Sequence, residues 1–443
     1  MHERTPCITV RLRMDSPATP SSHAWRWVPS LYFSQGIPYV AVMTLSVVLY
    51  KNLGVSNTDI ALYTSWLYLP WVIKPLWSPV VDLFRTKRFW IWGLQLAVGA
   101  ALAGVALTVP GPDFFKWTLA LFWLLAFSSA THDIAADGFY LLALPSHQQA
   151  AFVGVRSTFY RLAMITGQGG LVWLAGHWQT TTGNTTLAWS LVFGTLAGLF
   201  VLAATYHLLV LPQPATDHAA PAVGNVVAGY FGTFAAFFRK PGIGLAIAFM
   251  LLYRLGEAQL VKLATPFLLD PREVGGLGLN TEQVGIYYGT IGVIALTLGG
   301  LAGGWIVSQF GLKKLLWPML AAMHVPNAVY VLLAWWQPES SGIVVAAVAV
   351  EQLGYGFGFT AYLLYLMLIA EGEHKTAHYA LCTGFMALGM MLPGMAAGWI
   401  QEHLGYVNFF WWVLLACLPS LLVAAKLRID PAFGRKQSKP AQG

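Results

Sequence analysis

Charge is what this sequence has least of. Only 10% of its 443 residues are Asp, Glu, Lys or Arg, against about a quarter in a soluble domain. Hydrophobic residues make up 57%, and the mean hydropathy is +0.61. A water-soluble globular chain is excluded and a membrane protein is expected. Cysteine is almost as scarce: Cys7, Cys382 and Cys417 stand far apart, with no CxxC and no ligand spacing. They give neither a disulfide framework nor a metal site, and read as small apolar fillers. No nucleophile–base pair is visible, which argues against an enzyme. The glycine-rich run 354–358 follows no strand and precedes no Lys. It is not a nucleotide loop, and no cofactor is expected. The net charge of +7 does not point to nucleic acid, because the basic residues lie in short loops and tails.

What the chain has instead is long apolar runs. Twelve are of membrane-spanning length. The first six lie near 27–50, 58–84, 88–109, 115–143, 150–178 and 186–211. The second six lie near 242–269, 281–309, 312–336, 342–369, 376–403 and 406–427. The expected organisation is a disordered cytoplasmic tail (1–24), a six-helix bundle (25–211), a cytoplasmic linker (212–240), a second bundle (241–428) and a basic tail (429–443). Within the tail, Met14 is a candidate start. The latter part of the linker, 226–238, is apolar enough to lie as a helix on the membrane surface. Nineteen Trp supply interfacial aromatics. The loops that would be inside hold Arg26, Arg85, Lys87, Arg88, Arg239, Lys240, Lys313, Lys314 and Lys375, and the tail adds Arg428, Arg435 and Lys436. The other loops hold little beyond Lys51, Lys116 and Arg272, so both termini are expected inside.

One internal repeat stands out. Gly304-Trp305-Ile306, Gly311 and Trp317 recur as Gly398-Trp399-Ile400, Gly405 and Trp411, at a constant offset. Segments eight and eleven correspond in this way when each half is built from two three-helix units of opposite topology.

Polar groups inside the apolar runs are costly and therefore informative. The stretch 128–144 carries Asp133 and Asp137, four residues apart and hence stacked on one helix face. At about 1.5 Å per residue, Asp137 and Arg156 each lie roughly 9–10 Å from the inner ends of segments four and five. Asp133 and Arg161 lie at about 16 Å, and Lys74 on segment two at about 15 Å. A cluster of Asp133 and Asp137 with Arg156, Arg161 and Lys74 is expected in the inner half of the first bundle. It either binds an anionic group or carries a proton, or it is a static ion network that fixes helix register. On segment seven, Arg254 and Glu257 are three apart and are expected to share a face. Glu351 on segment ten reaches the depth of Arg254. A permanent bridge from Arg254 to either acid is the alternative to a working role. Lys262 is expected near the outer end, snorkelling.

The stretch Ser78-Pro-Val-Val-Asp82-Leu-Phe-Arg85-Thr-Lys87-Arg88 resembles the G-x-x-x-D-R-x-G-R-R signature of the major facilitator superfamily, whose layout is also six, linker, six. Ser78 and Leu83 depart from it, and Ser308 stands where the second copy would have its acid. The resemblance implies a cytoplasmic latch at Asp82, Arg85, Lys87 and Arg88, with only one side present.

Further stretches resemble the AmpG-like permeases, the muropeptide importers of the bacterial inner membrane that are grouped with acetyl-CoA transporters. They are Phe33-Ser-Gln-Gly36-Ile-Pro38, Leu69-Pro70-Trp-Val-Ile-Lys74-Pro-Leu-Trp77-Ser-Pro79, Ser129-Ala-Thr-His-Asp133-Ile-Ala-Ala-Asp137-Gly, Arg254-Leu-Gly-Glu257, and Gly356-Phe-Gly358-Phe-Thr-Ala-Tyr362 after Glu351. His132 stands where the family commonly has Gln. The resemblance implies an all-α fold of twelve transmembrane helices in two bundles, with segments one, four, seven and ten lining a cavity. Arg254, Glu257 and Glu351 would then line it; Gln35, Tyr39, Gln259 and Tyr355 on those segments could hydrogen-bond a sugar or peptide, with packing the safer reading for each. Glu351 is the expected proton-coupling acid. The implied function is secondary active, proton-coupled import of a muropeptide or related solute by a monomer in the inner membrane. Export or exchange of another amphipathic anion (acyl-CoA-like or siderophore-like) and a transport-inactive sensor are the alternatives.

Overall fold

In the computed structural model, residues 22–215, 217–218, 232–372 and 374–435 are described. Among them are helices and connecting loops, with no strand. Nine stretches among the described residues are long and apolar enough to cross a membrane. They are α1 (His23–Asn52), α3 (Lys87–Thr108), α4 (Phe114–Ala143), α6 (Thr185–Val210), α7 (Ile243–Leu269), α8 (Thr281–Phe310), α9 (Leu312–Trp336), α10 (Ser341–Ala370) and the long run Ala377–Ala424. The last run is two helices, α11 (375–404) and α12 (406–424), because Gly405 takes a positive φ between them. Two more helical runs complete the order: α2 (57–83) and α5 (146–182). These two carry the most polar residues, Lys74 in one and Arg156 and Arg161 in the other.

The breaks in the helices have local causes. In α2 the helix stops at Trp66 and restarts at Leu69, with Pro70 in the new first turn. Proline fits there because it has no N–H to leave unpaired. The sequence TGQGGL in α5 winds as a π turn, Thr166–Leu171, and Gly285–Gly292 does the same in α8. The α7 helix is interrupted at Tyr253 and Arg254, where Arg254 leaves helical geometry. A capping box, Asn280 with Gln283, starts α8.

The repeat seen in the sequence is structural. Gly311 and Gly405 both adopt positive φ, at 83° and 72°. They turn the chain at the α8–α9 and α11–α12 junctions, which lie at opposite ends of the molecule. A unit and its inverted copy place equivalent turns that way.

Several apolar cores organise the helices, and two of them show the pattern. Val40, Val48, Leu102, Phe122, Trp189 and Phe193 pack together from α1, α3, α4 and α6. Phe249, Met319, Tyr362 and Leu366 pack together from α7, α9 and α10. The outward face is apolar, with Leu107, Leu202 and Trp335 exposed, as a surface solvated by lipid acyl chains requires. The helices α2 and α11, and α5 and α8, cross between the first six and the last six.

The connecting segments depart from expectation. Of the proposed surface helix 226–238, residues 226–231 lie outside the described ones. Residues 232–238 are helical, but Phe237 is buried in the core, stacked near Phe385. An aromatic that can bury beside other aromatics is drawn off a lipid interface. In the first part of the basic tail Ile429 is buried, and the Phe433 carbonyl accepts from the Leu312 N–H. The N-terminal tail through residue 21, with Met14 in it, and Lys436 lie outside the described residues.

Candidate functional site

A cavity of about 620 Å³ lies between the two sets of six helices. Its walls carry five basic side chains, Lys74, Arg156, Arg161, Arg254 and Lys262, and two acidic ones, Asp133 and Asp137. Tyr32, Tyr39, Tyr68, Tyr160, Tyr355 and Phe359 supply aromatic surface, and Met43, Met164, Met386 and Met390 supply adaptable apolar surface.

The expected cluster forms on the first-half wall, with one change of partner. Arg156 Nη2 lies 2.7 Å from Asp137 Oδ1, which also accepts from the Tyr32 hydroxyl at 3.1 Å. The Arg156 guanidinium is held between the rings of Tyr32 and Tyr140, 4.4 and 4.9 Å from their centroids. Asp133 accepts from the Trp71 indole N–H at 3.2 Å and lies 3.6 Å from Lys74 Nζ. Arg161 does not join Asp133, because its guanidinium reaches across to α8 and donates to Thr297 Oγ1 at 3.3 Å. Depth along the helix axis matched Arg161 to Asp133, but the side chain faces the other half.

On the second-half wall the break at Arg254 overturns the shared-face expectation. The Arg254 guanidinium donates to the Tyr355 hydroxyl and lies over the rings of Tyr355 and Phe359. No ion pair from Arg254 to Glu257 or Glu351 is formed among the described residues. Both acids sit behind the wall rather than on it, at 0% and 1% exposure. Gln352 Nε2 donates to Glu351 Oε2 at 2.9 Å, and the polar neighbours Tyr330 and Asn327 lie beside Glu351 and Glu257. Glu257 lies within electrostatic reach of Glu351. Gln35, Tyr39 and Tyr355 line the cavity, whereas Gln259 accepts from the Trp412 indole on α12 and points away from it.

The sequence reading missed Lys262. It lies in the deep wall at 6% exposure, donates to Thr64 Oγ1 on α2 at 2.9 Å, and its Nζ sits over the Tyr68 ring.

The end of the molecule away from the termini, the far side, is sealed. Lys51 Nζ lies 2.5 Å from Asp270 Oδ1. Asn57 Nδ2 donates to Asp270, to Gln401 and to the Tyr406 hydroxyl. Asn52 Oδ1 accepts from Gln179, Trp189 and Thr281, which come from both halves. Below this network Gly289 meets the Gln168 carbonyl so closely that a Cβ would stand 1.9 Å from it. Lys51 was read from sequence only as a loop charge.

The end that carries the termini is open. Asp137 is 46% exposed, although a helix end about 9 Å away separates it from the surface. The signature loop lies at this end. Asp217 of the linker caps α3, accepting from the Lys87 and Arg88 N–H groups at 2.8 and 3.0 Å. Arg88 donates to the carbonyls of Leu211 and Leu208, and Arg85 lies over Phe89. The side chain of Asp82 is outside the described residues. Arg85 and Arg88 make these contacts in the first half, next to the linker acid Asp217.

The profile of the Major Facilitator Superfamily matches residues 30–371. The anhydromuropeptide permease of Escherichia coli (strain K12) is 28% identical over 400 residues, covering 89% of this chain and 77% of that protein. Putative transporter AmpG 4 of Rickettsia conorii (strain ATCC VR-613 / Malish 7) is 25% identical, covering 88% and 92%. Among solved structures, the nucleoside transporter NupG superposes with a TM-score of 0.64 at 16% identity, covering 91% and 98%. A POT family transporter in complex with 5-aminolevulinic acid gives 0.66 at 11%, covering 90% and 94%. At those identities the two structures speak to the fold alone.

Proposed function

The chain belongs to the Major Facilitator Superfamily and is a membrane transporter, and from that premise we propose that it imports an anionic muropeptide or a closely related amino-sugar peptide. One observation carries the choice: the cavity holds three more positive than negative side chains beside tyrosine, phenylalanine and methionine surface. Carboxylates of a peptide stem would take the unpaired cations, since charge-assisted bonds are the strong ones. Sugar rings would lie against the aromatic faces. The permeases similar in sequence give the solute its class.

In this reading both termini are cytoplasmic, the membrane is the bacterial inner membrane, and the chain works as a monomer. Bundles 25–211 and 241–428 rock about the cavity, and the sealed far side with an open terminal side is the inward-facing state. Glu351, with Glu257 beside it, takes the coupling proton. Neither acid makes an ion pair among the described residues, and binding a proton relieves the cost of burying a carboxylate. Gln352 and Tyr288 line the cavity in front of the acids and are the route the proton would take.

Reconstitution tests the whole reading. Proteoliposomes holding the purified chain should accumulate radiolabelled anhydromuropeptide when an inward proton gradient is imposed, and collapse of the gradient should release it. Accumulation that ignores the gradient rejects the coupling. Flux of acyl-CoA-like or siderophore-like anions in its place rejects the solute, and no flux of any of them points to a sensor.

A further inference from the structure

Two cavity cations with no ion pair among the described residues, Arg161 and Lys262, make the same contact in opposite directions. Arg161 of the first half donates to Thr297 Oγ1 of the second, and Lys262 of the second half donates to Thr64 Oγ1 of the first. Each is a buried or half-buried basic group whose hydrogen-bond acceptor is one neutral hydroxyl, and Lys262 also lies over the Tyr68 ring. In both threonines the hydroxyl proton is already spent: Thr64 donates to the Ile60 carbonyl at 2.6 Å and Thr297 to the Val293 carbonyl at 2.8 Å. Each threonine therefore offers its cation only a lone pair, and loses no bond of its own if the cation leaves.

We propose that Lys262 and Arg161 are anion-binding residues of the cavity, and that each binds either a carboxylate of the solute or its cross-half threonine, never both. A carboxylate outcompetes a hydroxyl for a desolvated cation, because the bond is then charged on both sides. The threonine contact needs the two halves together, as they are in this structure. Closure of the far side brings Thr64 and Thr297 onto the cations and expels the carboxylates, and carboxylate binding undoes a tie between the halves. Neither contact involves Asp133, Asp137 or the acids behind the wall. The inference rests on the proposal that the solute is anionic, and extends it by naming carboxylates as the groups bound and a paired release device as the consequence.

The test has two arms on the full chain. In the first, binding of anhydromuropeptide and of its methyl-esterified form is measured by titration calorimetry. Lys262→Met should weaken binding of the acid at least ten-fold, and Thr64→Val should tighten it at least three-fold by removing the competitor. The ester should respond to neither substitution. Weaker binding with Thr64→Val, or equal sensitivity of the ester, overturns the proposal. In the second arm, spin labels at the exposed positions Thr181 and Glu339 report far-side separation by pulsed EPR without any solute. Thr64→Val should shift the distances to longer values, and an unchanged distribution overturns the proposal. If the parent protein binds no anhydromuropeptide, the solute reading fails on its own, and the EPR arm still decides the tie.

Discussion

Breaking the Lys51–Asp270 pair should open the far side without touching the cavity. The pair joins the end of α1 to the end of α7, so it exists only while the two halves meet there. Its side chains are 15% and 11% exposed and its atoms are 2.5 Å apart. Stranding one partner of a buried pair costs about 3–5 kcal/mol. Asp270 keeps hydrogen bonds from Asn57 and the Tyr406 hydroxyl, and partial exposure weakens the charge term. About 2 kcal/mol is the sensible figure for Lys51→Met once those two effects are allowed for. The cost falls wholly on the closed arrangement, and at about 1.4 kcal/mol per tenfold it shifts the closed-to-open ratio about 30-fold. The assay is labelling of a cysteine placed at position 265, a cavity site only 5% exposed, by an impermeant maleimide added from the far side. Lys51→Met should speed labelling by about the same factor, and adding Asp270→Asn should recover part of the closed state by removing the stranded charge. Labelling within twofold of the parent, or a double variant that labels no more slowly than Lys51→Met, would refute the seal.

Three further outcomes are expected. Gly289→Ala sets a methyl group against the Gln168 carbonyl; far-side labelling should rise and uptake should fall at least ten-fold, while a normal uptake rate would show that the two glycine-bearing turns need not touch. Lys74→Met should cut uptake at least ten-fold, and the double variant Lys74→Met/Asp133→Asn should stay as low; recovery in the double variant would mean that the pair is only a static ion network. Glu351→Gln should abolish gradient-driven accumulation yet leave exchange of labelled for unlabelled solute intact. Equal accumulation by that variant and the parent would remove Glu351 from the coupling.

The sequence carried the fold because apolar length and loop charge act locally, one segment at a time. It carried the first-half cluster because depth along a helix can be counted, and Arg156 and Asp137 met as counting implied. Counting failed where azimuth or a helix break decided the contact. Arg161 is at the right depth for Asp133 and faces the other half. Arg254 and Glu257 are the right distance apart for one helix face, but the chain leaves helical geometry at Arg254. Lys262 looked like a residue near a helix end, and its hydrogen-bond partner lies 198 residues earlier in the chain. The far-side network joins residues from Lys51 to Tyr406, and no local pattern announces such a set. Asp217 was visible only as one acid in a linker, although an anion before a helix start is a known kind of cap.

The excess of cations in the cavity also bears on energetics of another kind. When the unloaded protein reorients, those guanidinium and ammonium groups exchange exposure between two compartments held at different voltage. Each elementary charge carried across the full drop of 100 mV is worth about 2.3 kcal/mol, and a fraction of that applies to groups that cross part of it. A negatively charged cargo cancels the excess, so a loaded passage would be nearly electrically silent. The resting potential would then act mainly on the return of the vacant carrier, and currents measured on a supported membrane should appear in that half of the cycle.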